Sequence, residues 1–239
     1  HGREHSFPTR RSSDLLICSL ITEITNADIF IALAWYMLTV LLGLAMMVIV
    51  YGLIIYTFTR RSPLDFYKAI APAQLLAFST SSSAATLPVT MERVEEHLCV
   101  DKEVVSFVCP LGATINMDGT SLYQAVAAIF ICEAMHFNLS FADQLTIILT
   151  ATLASIGAAA VPGAGLIMLV VVLETLDVPT ETMAIGLSLI FAVDRPLDMA
   201  RTIINVTGDC CVALCMGHWL GKIHIPKPKD WDDNLEGVS

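Results

Sequence analysis

Apolar and polar positions fall along this chain in long blocks, not in a short alternation. From Ile29 to Phe58 nearly every position is apolar, and the polar exceptions are hydroxyls. Such a run exceeds the ~20 residues that a helix needs to cross a bilayer. Arg60 and Arg61 close it, with Lys68 further on. Cationic flanks favour the cytoplasmic side, so this helix is predicted to end inside. The later apolar runs are interrupted. Leu64 to Thr90 is broken by STSSSAATLP, Val104 to Cys132 by GATINMDGT, and Phe141 to Leu173 by ASIGAAAVPGAG. Met183 to Leu220 carries Asp194, Arg195, Pro196, Asp198, Arg201, Asn205 and Asp209.

The breaks in the first and third runs leave arms too short to span, which predicts re-entrant hairpins. A backbone that turns inside a membrane is tolerated only where protein or a water-filled cavity satisfies the freed amides and carbonyls. The expected order is hairpin, broken helix, hairpin, broken helix. Interrupted segments at corresponding positions point to a transporter's midplane site. The charges agree with this threading. Arg93 and Lys102 fall inside, as do Lys222, Lys227 and Lys229, while Glu133–Asp143 and Leu173–Met183 hold no Lys or Arg.

Composition fixes the solvent. Hydrophobic residues make up 55% of the chain and charged ones 15%, with a mean hydropathy of +0.69. Soluble domains carry about 25% charge. This chain is therefore read as an integral membrane protein. Its net charge of −10 and its lack of a basic tract with interleaved aromatics exclude a nucleic-acid partner. The seven cysteines lie mostly in apolar runs without a CxxC, as small buried hydrophobes do. Residues 1–15, HGREHSFPTRRSSDL, are polar and basic and lack a signal peptide's apolar core. FPTRRSSDL matches a translated sequencing adapter, so this stretch is expected to be non-native.

The last run carries the most chemistry. Asp194, Asp198, Arg201, Asn205 and Asp209 are spaced four, three, four and four apart, which sets them on one helix face. A charge at the centre of a membrane helix costs at least ~2.5–3.5 kcal/mol. Several on one face imply a polar cavity or mutual pairing, such as an Asp198–Arg201 ladder. A zwitterionic acidic amino acid would suit this face. Arg201 can grip a carboxylate through two parallel hydrogen bonds, and Asp198 can hold an ammonium. The Asn205 amide suits either an α-carboxylate or a cation. Hairpin half-helix N-termini would add amide hydrogens for carboxylate. In NMDGT, Asn116 to Thr120, Gly119 is expected to loosen the helix. Freed carbonyls and the Asp118 carboxylate then make hard oxygen ligands for a small cation. Ser79 to Ser83 holds no GxSxG elbow, so an intramembrane hydrolase is rejected. The sequon at Asn205 lies in a membrane run and cannot be modified.

SSSAATLP, GATINMDGT, SIGAAAVPGAG and DRPLDMARTIINVTGD, in this order from about Ile29 to Lys222, together resemble the dicarboxylate/amino acid:cation symporters, the glutamate and aspartate transporters. The resemblance implies an all-α membrane protein with transmembrane helices and two re-entrant helical hairpins. This is the inverted-repeat transport domain of a glutamate-transporter-like fold, with the scaffold helices missing. Residues 16–62 would hold the end of the preceding region and a sixth-helix-like span. The transport core would be 63–222, with hairpin 1 at 63–97, a broken helix at 103–132, hairpin 2 at 141–175 and the last helix at 181–220. Residues 223–239 would form a cytoplasmic tail.

The same resemblance implies site residues. Ser82, Ser83, Thr120, Val161, Gly165, Asp198, Arg201, Thr202 and Asn205 would bind substrate. Asp198 would take the ammonium, Arg201 the side-chain carboxylate and Asn205 the α-carboxylate. Gly112, Asn116, Asn205 and Asp209 would form one sodium site, and the backbone of Thr114, Ser155, Ile156 and Ala158 a second. Asn116 and Asp118 would form part of a third. The implied activity is not enzymatic. It is symport of L-glutamate or L-aspartate with sodium as coupling ion and no cofactor, by an elevator motion with hairpin 2 as extracellular gate. Implied partners are the lipid bilayer and, for the full-length protein, a homotrimer in the cell (inner) membrane, as a multi-pass protein. Having both Asp198 and Arg201 separates this chain from succinate-type and neutral amino acid relatives. Gln124 stands where animal carriers hold a Glu, which favours sodium coupling without potassium counter-transport. Ala160 replaces a usual Gly. Neither Ser81 nor Met199 is the second Arg that relatives hold, and Arg195 is the candidate substitute. Pro196 is expected to kink the last helix or start a half-helix. The rivals are a C4-dicarboxylate or proton-coupled symporter of the same family and, from another class, a passive ion channel.

Overall fold

The computed structural model describes residues 27–224, Asp177 apart. The segment 1–15, the first residues (16–26) of the 16–62 region and all of the 223–239 tail beyond residue 224 lie outside them. The described chain is helical, and its one strand-like feature is an antiparallel bridge between Val100 and Ile223.

Helix α1 (Ala27–Thr59) has 33 residues, about 50 Å at 1.5 Å per residue, which exceeds a bilayer's hydrocarbon thickness. One side of it leaves Phe30, Trp35, Leu42, Met46, Leu53 and Phe58 exposed. An apolar face of this kind is stable against lipid or another helix, not against water. Helices α2 (Pro63–Thr80) and α3 (Ser83–Glu92) pack on each other and turn at Ser81, which adopts a left-handed φ of 53°. The Ser82 hydroxyl accepts from Ala85 N at 3.1 Å and so caps α3. At 10 residues α3 is too short to cross a membrane, and α2, with 18 residues that include Asp65 and Lys68, is not among the helices apolar enough to do so. A π-helical segment, Arg93–His97, follows α3.

Helix α4 (Lys102–Ile115) stops at Asn116 and Met117, whose ψ angles of 72° and 56° leave the helical region. Helix α5 (Asp118–Ala134) restarts at once. Helices α6 (Phe141–Ile156) and α7 (Ala164–Glu174) form the second short pair. A capping box of Ser140 and Asp143 opens α6, and Gly163 precedes α7 with a φ of +77°, a conformation that favours glycine.

Helix α8 (Thr180–Trp219) has 40 residues and is the axis of the molecule. It packs against α1, α5, α2 and α4, and more lightly against α3 and α7. Two expectations change here. The last helix is not broken: α8 runs through Pro196 without interruption. Pro196 leaves one backbone hydrogen bond of α8 unmade on an exposed flank, and burial of the opposite face among six other helices holds the axis together. Gly119 does not loosen the chain; it lies in the first turn of α5, and the break precedes it. A Cβ at Gly119 would lie 2.5 Å from the Arg201 carbonyl oxygen, so its role is close packing of α5 on α8.

Candidate functional site

Two polar clusters are built along α8, a few turns apart. Asp194, Asp198, Arg201, Asn205 and Asp209 are all buried there. The first cluster centres on Arg201, 3% exposed. Its Nε and Nη2 donate to Asp198 Oδ1 at 2.9 and 2.6 Å. The other Asp198 oxygen accepts from the Gly163 amide at 2.9 Å, just before α7 begins. The guanidinium lies 4.9 Å from the centroid of the Tyr123 ring, and the Tyr123 hydroxyl donates to Asp194 Oδ1 at 2.5 Å. Arg201 Nη1 is buried and has no partner. It lies against Gly165, where any Cβ would collide with it. A buried guanidinium nitrogen with no acceptor is costly, and a carboxylate would satisfy it.

The tips of the two short helix pairs close over this cluster. The Ser82 hydroxyl donates to the Ala160 carbonyl at 2.7 Å, and the Ala84 amide reaches the same carbonyl at 3.4 Å. Beneath them is a cavity lined by Ser83, Thr120, Val161, Gly165, Asp198, Arg201, Thr202 and Asn205, together with Ser81, Met117 and Ala158–Ala160. Its free centre is about 10 Å³, room for roughly one water. Ser82 is at the latch, not in the lining. Asn205 stitches α8 to the first turn of α5: its Oδ1 accepts from Gly119 N at 2.9 Å and Thr120 N at 3.4 Å, and its Nδ2 donates to Thr120 Oγ1 at 3.0 Å. Gln124, also buried, donates through Nε2 to the Gly165 carbonyl at 3.2 Å.

The second cluster lies at the α4–α5 break. Asn116 Nδ2 donates to Asp209 Oδ1 at 3.1 Å. The Gly112 backbone presses on the same carboxylate, since a Cβ there would lie 2.5 Å from Asp209 Oδ1. The Tyr51 hydroxyl donates to Asp118 Oδ2 at 2.5 Å. Among the described residues, no cationic side chain forms an ion pair with Asp118 or Asp209. A buried carboxylate held only by neutral donors, as Asp209 is, is expensive to charge unless a cation joins it. The donor set of carboxylate, amide and backbone oxygens suits a hard cation.

The remaining predicted residues are less gathered. Ser155 and Ile156 end α6 and line an open groove together with Asp118, while Ala158 lines the cavity under the tips. Thr114 lies exposed near the end of α4, and its hydroxyl turns back to the Leu111 carbonyl at 3.0 Å. Arg195 is not the second arginine of the cavity. It is exposed on the flank of α8 and absent from the lining, because its position is about a third of a turn around the helix from Arg201. Sequence reasoning missed Tyr51 and Tyr123. Each is a single aromatic in an apolar run, and only its partner across the fold marks it as polar machinery.

Residues 15–219 match the family described as the sodium:dicarboxylate symporter family. The chain belongs to that family. An excitatory amino acid transporter of Caenorhabditis elegans is 48% identical over 206 residues, covering 85% of this chain and 40% of the relative. Excitatory amino acid transporter 3 of Homo sapiens is 48% identical over 195 residues, covering 81% of this chain and 36% of the relative. Excitatory amino acid transporter 2 of Homo sapiens is 46% identical over 200 residues, covering 81% and 33%. The symporter-family chain thus spans about 33–40% of the length of these curated relatives. Membership makes it a multi-pass integral membrane protein of a transporter family. Its α1 and α8 are long and apolar enough to cross a membrane.

Proposed function

We propose that this chain is the transport core of a sodium-coupled symporter for acidic amino acids. The observation that carries the reading is the buried Arg201–Asp198 pair with Arg201 Nη1 unpartnered beneath the latched tips. A zwitterionic diacid can insert into that pair by exchange. Its side-chain carboxylate takes the guanidinium, and its ammonium takes Asp198. Its α-carboxylate then faces the Asn205 and Thr120 region and the backbone amides before α7. The side-chain carboxylate and the ammonium each meet an opposite charge, the α-carboxylate is met by neutral donors, and the net negative charge of the guest is left for the coupled sodium to offset. Succinate has no ammonium and would leave Asp198 uncompensated. A neutral amino acid would leave Arg201 so.

Sodium ions would occupy the break near Asn116, Asp118 and Asp209, with Gly112 and Asn205 adjoining. A second ion would use the backbone of Thr114, Ser155, Ile156 and Ala158. The cavity centre is too small for an amino acid, so loading requires the tips to part. We assign that movement to hairpin 2 (α6–α7), as the extracellular gate of an elevator-type cycle within a homotrimer. The relatives' names, which concern excitatory amino acids, support the substrate class.

Labelled uptake into proteoliposomes by the full-length protein tests this, comparing L-aspartate, L-serine and succinate under inward sodium and under choline. Saturable aspartate uptake that requires sodium and exceeds the other two is expected. Preference for succinate defeats the Asp198 argument. Aspartate uptake indifferent to sodium replaces the cation sites with proton coupling. Current without substrate would point to a channel.

A further inference from the structure

We propose that Tyr51 of α1 is a positioning residue for the cation site at the α4–α5 break: its hydroxyl fixes the Asp118 carboxylate in the orientation that receives sodium. This rests on the reading above that the break binds sodium. The other side chains of the cluster come from α4, α5, the break between them and α8, whereas Tyr51 reaches in from a helix that supplies no other assigned site residue. It is buried, and its hydroxyl donates to Asp118 Oδ2 at 2.5 Å.

Three features make this contact more than packing. First, α8 is thinned to admit it. A Cβ at Gly208 would lie 2.8 Å from both the Tyr51 hydroxyl and Asn116 Nδ2, so glycine lets phenol and amide meet beside the carboxylates. Second, α1 is held in place at this level. The Tyr67 hydroxyl of α2 donates to the Val48 carbonyl, and a Cβ at Gly52 would lie 3.7 Å from the Tyr67 ring. The backbone that carries the phenol is therefore clamped on either side of Tyr51. Third, the donor is neutral. A Lys or Arg would cancel the charge of Asp118, as Arg201 does for Asp198. A phenol satisfies one oxygen and leaves the negative charge for a cation. Asp118 lines the open groove with Ser121 and Thr152, the side from which an ion can be met. A ligand pre-set in this way binds without first being ordered.

The test is a sodium titration of aspartate uptake by the full-length protein, wild type against Tyr51→Phe, which keeps the ring and removes the hydroxyl. The sodium concentration for half-maximal uptake should rise about tenfold, the scale of one hydrogen bond to a charged group. The apparent KM for aspartate at saturating sodium should stay within about twofold, because Arg201 and Asp198 are untouched. The melting temperature in choline should not fall. A purely structural tyrosine would lower that temperature and leave the sodium midpoint alone. If uptake by the variant is too slow to titrate, the sodium concentration for half-maximal thermal stabilisation gives the same midpoint. Gly208→Ala, which crowds the phenol, should shift it in the same direction. A wild type indifferent to sodium overturns the parent reading and this proposal with it. A sodium-dependent wild type and an unchanged Tyr51→Phe midpoint overturn this proposal alone.

Discussion

The two polar clusters on α8 solve the same problem in opposite ways. At Arg201 a cation is paired directly within the protein: Asp198 receives two guanidinium hydrogen bonds, while the neighbouring Asp194 receives a tyrosine hydroxyl. At the α4–α5 break the donors beside Asp118 and Asp209 are a phenol and a carboxamide, and among the described residues no cationic side chain pairs with either. The first arrangement suits a guest that carries both signs and can exchange into an existing pair. The second suits a guest that brings positive charge alone. On the proposed reading, one helix would separate a site for a zwitterion from a site for a cation by whether a guanidinium is paired there.

Removing one member of each cluster should separate them. The largest effect is expected from Arg201→Cys, which leaves Asp198 and Asp194 without their cation and should lower acidic substrate uptake by about 100-fold or more. Serine-like substrates become the test of gain, and intact aspartate uptake in this variant would refute the role given to Arg201. Next, Asp198→Ala strands a buried guanidinium and should cost about 3–5 kcal/mol of stability, along with amino acid binding. Combining it with Arg201→Cys should recover much of that stability, and a double variant as unstable as the single would show that the pair is not self-neutralising.

The opposite sign is expected at the break. Asp209→Asn removes a buried carboxyl group whose side-chain partner is a neutral carboxamide. In choline its melting temperature should rise by on the order of a few degrees, while sodium loses most of its stabilising effect. A fall in the choline melting temperature would mean that Asp209 is compensated within the protein after all. The smallest effect is expected from Gly112→Ala. The added methyl displaces the Asp209 carboxylate by a few tenths of an ångström, so the sodium midpoint should rise by about two- to fivefold with aspartate selectivity unchanged. Sodium titrations of uptake and of thermal stability read both variants.

Much of the molecule is legible without coordinates. The family and the all-α class follow from four motifs in order, and the burial of Asp194 through Asp209 follows from their helical spacing. Other features were not legible. Pro196 reads as a helix breaker, yet α8 runs through it, because the packing of the rest of α8 against six other helices outweighs one lost backbone hydrogen bond and is not a local property. Arg195 reads as a spare cation for the cavity, yet its position on the helix turns it outward. Tyr51 and Tyr123 carry no local signal, because a tyrosine in an apolar run has the same pattern whether its hydroxyl meets a carboxylate or the membrane interface.

The sequence by itself determined the solvent, the succession of long and broken apolar runs, and the set of polar residues on the last helix. These depend on composition and period, which are local. The helical spacing already offers Asp198 to Arg201, three residues on. Only the tertiary structure decided the partners that come from other elements: it set Asp209 on Asn116 and Asp118 on Tyr51, the last across 67 positions of chain. Whether a buried carboxylate is cancelled or left charged depends on which donor lies within about 3 Å, and proximity across the fold is not a property of any local stretch of sequence.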